Sequence, residues 1–426
     1  MSTLVKLVKV KVVLNDGESF DKIISNSIGV PLSVSNKLID LKTIASSIFL
    51  IEDYINNGSN VREIRIPLYE NYSSNLNDLI ERLIEFLFNK SIKINFVKNP
   101  QKHLIDISNA FSDGYSCLFS GGLDSFAGIL SSKENCGQVI GAFTRHADQK
   151  YLSNLIKKLQ SNALRKYDID VKTIDTDKNK DYTRITRGIL YLLNALLLKK
   201  TKIIISEVGP TMYQPRLTLL DDVSFTTHPR VMKFSKKIAE EVLGTKINVI
   251  IPNENLTKAE VAATSLEKNY IKLTCSCRTT RWCNSNKPNC GTCYGCIMRR
   301  LALLVAGVKD NEYRSDILTS KESRNEQYCN ILHLLQFSLE FLNDFDSIPN
   351  YTTETIKKYK KEELFERSSL DTFAGLLVLK KENKLLDSIF LKFLESALKI
   401  VSKEKLEDRI ESVRNKEFKP DFKSMI

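Results

Sequence analysis

The chain has 426 residues, of which 42% are hydrophobic and 27% charged, and its formal net charge is +12. That composition excludes a mostly disordered chain, a collagen-like repeat and a bare disulfide scaffold, and the length suggests two or three domains. The charge is uneven: residues 1–110 hold 13 basic against 12 acidic side chains, residues 111–310 hold 30 against 18, and residues 311–426 hold 20 against 21. The whole excess falls in the middle segment. It marks either a solvated basic face or an anionic partner such as nucleic acid, nucleotide or phosphate.

Residues 1–110 read as an N-terminal α+β accessory domain. LVKLVKVKVVL alternates apolar and basic residues, as a strand with one wet face does, and REIRIPLYE (62–70) alternates similarly. Lys6, Lys9 and Lys11 interrupt the first apolar run, so a strand is expected there and not an export signal. LNDLIERLIEFLFN (76–89) has helical periodicity, and SIKINFV returns to a strand.

Residues 111–310 alternate strand and helix. YSCLFS (115–120), QVIGAF (138–143), IDVKTID (169–175) and KIIISEV (202–208) read as strands. YLSNLIKKLQSNALRKY (151–167) and ITRGILYLLNALLLKK (185–200) read as helices. Strands spaced by helices of this length predict an α/β fold, a parallel sheet covered on both faces. Residues 311–426 read as a C-terminal helical domain for packing or interaction, with apolar residues at three- and four-residue spacing. No run reaches the roughly 18 apolar residues of a membrane span, so a cytoplasmic protein with no membrane partner is expected.

SCLFSGGLDSFAGIL places Ser120, Gly121, Gly122, Leu123, Asp124 and Ser125 directly after a strand and before a helix. Two glycines let the backbone turn tightly, and the helix start presents unpaired N–H groups to an anion. Ser120 and Ser125 add hydroxyl donors. Asp124 would repel a bare phosphate, which suggests Mg²⁺ shared between carboxylate and phosphate oxygens. The Gly-Lys-Ser/Thr ending of a Walker A loop is missing. Further on, Cys275, Cys277, Cys283, Cys290, Cys293 and Cys296 crowd into 22 residues, the last three as C-x2-C-x2-C. Such spacing suits a tetrahedral Zn²⁺ site or an iron–sulfur cluster, and it leaves the fourth ligand open among Cys275, Cys277 and Cys283.

SGGLDS resembles the PP-loop of ATP pyrophosphatases, which split ATP into AMP and pyrophosphate. Loop and cysteines together resemble the QueC family, the 7-cyano-7-deazaguanine synthases. NENLTKAEV (253–261) with YIKLTCSC (270–277) is similar to that family's LTKAE and LT-x-SC elements, and CGTCYGCIMRR (290–300) to its CG-x-C-x2-C-x-x-R ending. The resemblance covers about 111–310. It implies an adenine nucleotide alpha hydrolase (HUP, PP-loop) sheet and a Zn²⁺ set of Cys277, Cys290, Cys293 and Cys296. It also implies a phosphate-reaching Arg187 (with Arg184 near it) and substrate contacts from His228 and Arg230 in THPR. Glu207, ending the fourth strand, lies at the ligand edge of a doubly wound sheet. His146 and Asp148 follow the second strand, where FTRHADQ departs from the family's Tyr-Gly-Gln-Arg-His run.

The activity implied is ligation with ATP, Mg²⁺ and Zn²⁺. Ser120 and Asp124 act in catalysis, and a deazapurine carboxylate is adenylated and passed to ammonia or a protein amine. The product would be an amide, a nitrile or a deazaguanine–protein conjugate. The enlarged plan resembles QueC-like members of antiphage defence systems such as Qat, with operon partners on the flanks. Two other readings are a tRNA-modifying adenylase using the same loop and a non-catalytic nucleotide-binding scaffold. Nucleic acid is allowed but not required.

Overall fold

The computed structural model describes residues 5–14, 19–27, 35–99, 110–132, 138–143, 157–167, 171–175, 185–215, 217, 227–265, 267–277, 287–319, 326–385, 387–416 and 418–423. The first sheet has the order β2-β1-β3-β4. β1 (Val5–Leu14) runs antiparallel to both β2 (Ser19–Ser27) and β3 (Val61–Leu68). β3 pairs in parallel with β4 (Lys93–Lys98), and the amphipathic helix α2 (Ser74–Phe88) makes the crossover. The helix α1 (Asn36–Asn56), capped by Ser35, has no single apolar stripe and is buried along most of its length, Asp40, Lys42 and Glu52 included. Asp40 earns its place by accepting from Tyr69 N, Glu70 N and the Tyr72 hydroxyl, at 2.8, 3.0 and 2.9 Å. Burial, opposed by those bonds, brings it up to about 6.

The second sheet is five-stranded and parallel throughout, with the order β7-β6-β5-β8-β9. Its strands are β5 (Ser112–Phe119), β6 (Gln138–Phe143), β7 (Val171–Asp175), β8 (Lys200–Ile205) and β9 (Asn248–Ile250). Side chains alternate between its faces, as strand geometry requires. Cys117, Phe119, Ile204 and Ile250 enter one core, and Ile203, Ile205, Val249 and Ile251 enter the other. The first core includes residues of α3 (Leu123–Ser131) and the second residues of α4 (Arg187–Ala195). A short turn of helix, α5 (Gly209–Met212), precedes α6 (Pro229–Leu243), which also packs in the second core. α7 (Lys258–Thr264) and α8 (Tyr294–Ala306) pack in the first. This is a mixed α/β protein whose parallel sheet is covered on both faces.

Both cores continue into the flanking segments. The second core runs through α4 and α6 into α1, α2 and the first sheet. The first runs through α8 into the C-terminal helices α9 (Glu326–Asn343), α11 (Glu362–Lys381), α12 (Ser388–Ile400) and α13 (Lys403–Asn415), while Ile356 of α10 (Asn350–Tyr359) joins the second core with Phe337 and Phe341 of α9 and Phe365 of α11. Arg414 of α13 caps α8 by donating to Val305 O and Leu304 O at 3.0 and 3.1 Å. Among the described residues no helix is long and apolar enough to cross a membrane.

One buried carboxylate joins the N-terminal segment to the parallel sheet's helices. Glu52 of α1 accepts from Ile185 N, Thr186 N and Thr186 Oγ1 at 2.8, 3.0 and 2.5 Å, which fixes the entry to α4. Replacing Glu52 with Ala leaves these donors unmet. The expected cost is about 3 kcal/mol of unfolding free energy, with less for Glu52→Gln, read from urea titrations.

Candidate functional site

The strand order reverses between β5 and β8, and ligands of open α/β sheets bind at such a point, beyond the carboxyl ends of the strands. The glycine loop leaves β5 there. Gly121 adopts φ +76°, a left-handed conformation that favours glycine. Gly122 is the N-cap of α3, and Phe126 N closes its first helical bond to Gly122 O at 3.0 Å. The exposed Ser120 and the buried Ser125 meet hydroxyl to hydroxyl at 3.1 Å, and Ser125 Oγ donates to Gly122 O at 3.1 Å. Leu123 is fully buried and anchors the helix start in the core.

Two further elements converge on this loop. Cys275 N donates to Gly121 O at 2.9 Å, so the stretch leading into the cysteine cluster holds the loop's backbone. Lys258, the first residue of α7, pairs its ammonium with Asp124 Oδ2, and the two side chains are only 13% and 15% exposed. The other carboxylate oxygen, Asp124 Oδ1, is buried without a hydrogen-bond partner. Lys258 is held by a capping box in which Thr257 Oγ1 accepts from Glu260 N and Glu260 Oε2 accepts from Thr257 N, at 3.3 and 2.9 Å. Sequence reasoning quoted LTKAE without singling out Lys258. The T-x-x-E spacing marks a helix start and so places that lysine in a first turn.

Glu207 follows β8, half-buried, and its Oε1 accepts from Val208 N at 3.3 Å. Arg187 opens α4, but its side chain lies outside the described residues, as do His146, Asp148, Arg184 and Cys283. His228 is the buried N-cap of α6, its Nδ1 accepting from Arg230 N at 3.2 Å. Its ring packs between Phe86 and Tyr359 at 5.3 and 6.0 Å, and the exposed Arg230 guanidinium lies 4.5 Å over Phe86. Burial first, then repulsion from Lys358 and Arg230, lowers His228 to about 4.

The cysteines form a separate cluster. The sulfurs of Cys277, Cys290, Cys293 and Cys296 all lie within 4.8 Å of one another, an arrangement that could hold a metal ion such as zinc. Three are buried and Cys277 is half-buried. Thr292 N and Cys293 N both approach Cys290 Sγ at 3.4 Å, and Cys293 and Cys296 sit at the start of α8, whose dipole favours thiolates. The Cys277 contact opposes ionisation of Cys290, but Cys293 and Cys296 outweigh it and bring that thiol down to about 5. The donor set fits a closed tetrathiolate site. Cys275 stays outside it and donates to Pro288 O at 3.0 Å.

Glycine and arginine shape this cluster. Gly291 has φ +84°, and an added Cβ would lie 2.0 Å from Ser315 O. Arg299, fully buried, makes a two-point contact with Asp310 at 3.0 and 2.8 Å and donates to Thr274 Oγ1 and Ile271 O at 2.5 and 2.7 Å. Burial works against ionisation of Asp310, but Arg299 and the Tyr313 hydroxyl hold its carboxyl below the usual range. Compared with known proteins, the chain is matched by no family model and by no curated sequence.

Two outcomes follow from this geometry. Cobalt(II) added to metal-free protein is expected to give thiolate-to-metal charge-transfer absorption. That absorption should be lost in Cys277→Ser, Cys290→Ser, Cys293→Ser and Cys296→Ser and kept in Cys275→Ser. For His228, the unfolded value near 6.5 lies above the folded one, so the unfolded chain takes the proton first on acidification. Stability tied to His228 is lost as pH falls from 6.5 toward 4, by about 3 kcal/mol at full effect. His228→Asn, which keeps the N-cap, should remove that part of the pH dependence in matched urea titrations.

Proposed function

We propose that the chain is an ATP-dependent adenylating enzyme of the PP-loop kind, QueC-like, that activates a deazapurine carboxylate for transfer to a nitrogen nucleophile. One observation carries the reading. A glycine loop at the end of the central parallel strand, at the reversal of strand order, holds an acidic residue against a lysine and leaves one carboxylate oxygen without a partner. The all-parallel order β7-β6-β5-β8-β9 agrees with the adenine nucleotide alpha hydrolase fold that the resemblance implies. The four-cysteine cluster agrees with the zinc set implied by the same resemblance.

In this reading the backbone of residues 120–123 and the start of α3 receive the β,γ-pyrophosphate of ATP. Lys258 gives a positive charge beside it, and Ser120 and Ser125 supply hydroxyl donors. The substrate carboxylate attacks the α-phosphorus, releasing pyrophosphate, and the nitrogen nucleophile then displaces AMP to form an amide. Donors and charges fixed in advance stabilise the departing pyrophosphate without reorganising, which is where such a site gains most of its rate. Asp124 would hold Mg²⁺, which neutralises phosphate charge when bound. The cysteine centre, closed by four thiols, is a structural support in this scheme. A role in antiphage defence, with partner proteins on the flanking segments, follows from the resemblance alone.

With ATP and 7-carboxy-7-deazaguanine, AMP formation is expected from the wild-type chain, with a loss of roughly 100-fold or more in Asp124→Asn and Lys258→Ala. Unchanged AMP release in Asp124→Asn would remove the loop from the reaction. Mass spectrometry of the product separates a small-molecule amide or nitrile from a conjugate on a partner protein.

A further inference from the structure

Thr257 and Glu260 form a complete capping box, which by itself satisfies the backbone donors Thr257 N and Glu260 N at the start of α7. The structure adds two residues from the C-terminal helices to it. Asp371 of α11 accepts from Thr257 Oγ1 at 2.6 Å. Arg409 of α13 closes the ring: Nε meets Asp371 Oδ1 at 2.8 Å, and Nη2 meets Asp371 Oδ2 at 3.1 Å and Glu260 Oε1 at 2.8 Å. Arg367 lies 3.4 Å from the same Glu260 oxygen. Two carboxylates and two guanidiniums therefore balance, with Asp371, Glu260 and Arg409 buried and Arg367 partly exposed at the edge. Such charges are tolerated only when paired, and removing one partner leaves another uncompensated.

Helix capping alone does not call for this ring. Its effect is orientation: the Thr257 hydroxyl is shared between Glu260 N and Asp371, which fixes the residue immediately before Lys258. Glu260, one turn on, is fixed by Arg409. Lys258 lies between these two held points and reaches Asp124 from there. We propose that Arg409 is a positioning residue for Lys258, locking the Thr257–Glu260 cap so that the lysine ammonium stays against the glycine loop. The consequence for turnover rests on reading Asp124 and Lys258 as the nucleotide-handling pair. It makes the C-terminal helices part of that site's construction.

The full-length chain carries the test, in two readouts. The first is limited acetylation followed by peptide mass spectrometry, which needs no activity. In Arg409→Ala the rate at Lys258 is expected to rise several-fold. The exposed Lys93 and Lys157 should be unchanged, and so should Lys42, which is buried in α1 and reports global opening. The second is AMP formation: kcat/KM for ATP should fall about 10- to 100-fold in Arg409→Ala, the scale of a misplaced group. In a Lys258→Ala background the same change should add nothing, because both act through one side chain. Unchanged acetylation of Lys258, equal opening at Lys42, or an additive loss in the double variant would overturn the proposal. Where Arg409→Ala does not fold, Asp371→Asn keeps the shape and removes the charge, with the same expectations. Absence of AMP formation in the wild-type chain would sink the adenylation reading instead, while the acetylation rates still decide the positioning.

Discussion

The contact between Lys258 and Asp124 is the point on which the architecture converges. It joins the helix that starts after β9 to the loop that ends β5, two segments 134 residues apart in the chain. A largely desolvated lysine–carboxylate pair is a poor source of stability, because desolvation offsets most of the attraction. Its value lies in holding both charges in register while each partly compensates the other. A polyphosphate bound with a divalent cation presents the complementary pair: anionic oxygens for the ammonium, a cation for the carboxylate. Under the proposed adenylation, entry of such a ligand would exchange one internal pair for two external ones, so neither group would be left buried and unpaired.

The glycine loop is held by more than its own strand and helix. Cys275 N–H binds Gly121 O, and Cys277, a member of the cysteine cluster, follows two residues later. The chain from loop to cluster is too short to absorb much movement, since each residue spans at most about 3.6 Å. Arg299 holds the other end of this stretch through Thr274 and Ile271, and Asn289 binds Ser276 N at 3.0 Å. Ordering of the four sulfurs and ordering of the loop are therefore mechanically linked, so a metal ion held by this cluster would also steady the loop.

Much of this was legible in the sequence where the determinants are local. QVIGAF coincides with β6, the glycines sit directly between β5 and α3, and the C-x2-C-x2-C run forms one cluster with Cys277, the fourth member that spacing left open and the family resemblance implied. The parts that were not legible depend on distant contacts or on lost periodicity. α1 gives no amphipathic signal because it is buried on nearly all sides, its Asp40 and Glu52 made tolerable by donors from β3–α2 and from the entry to α4. β9 has three residues, too few to show a period. Lys258 and Arg409 are ordinary basic residues in their own segments. Only the fold brings one to Asp124 and the other, 149 residues on, to Glu260.

Part of the middle segment's charge is turned inward. Lys258 and Arg299 are balanced within residues 111–310 by Asp124 and Asp310, and Arg300 pairs with Asp316 just beyond that segment. A buried guanidinium facing a carboxylate adds no net charge as a pair and little to the outer field. The flanks, near neutral overall, supply carboxylates inward, with Glu52 at the entry to α4 and Asp371 at the cap of α7. These two carboxylates accept from backbone N–H groups and threonine hydroxyls of the middle segment. The flanking segments therefore complete the middle one electrostatically as well as through the two shared cores, and a middle segment without them would expose both apolar faces and unmet donors.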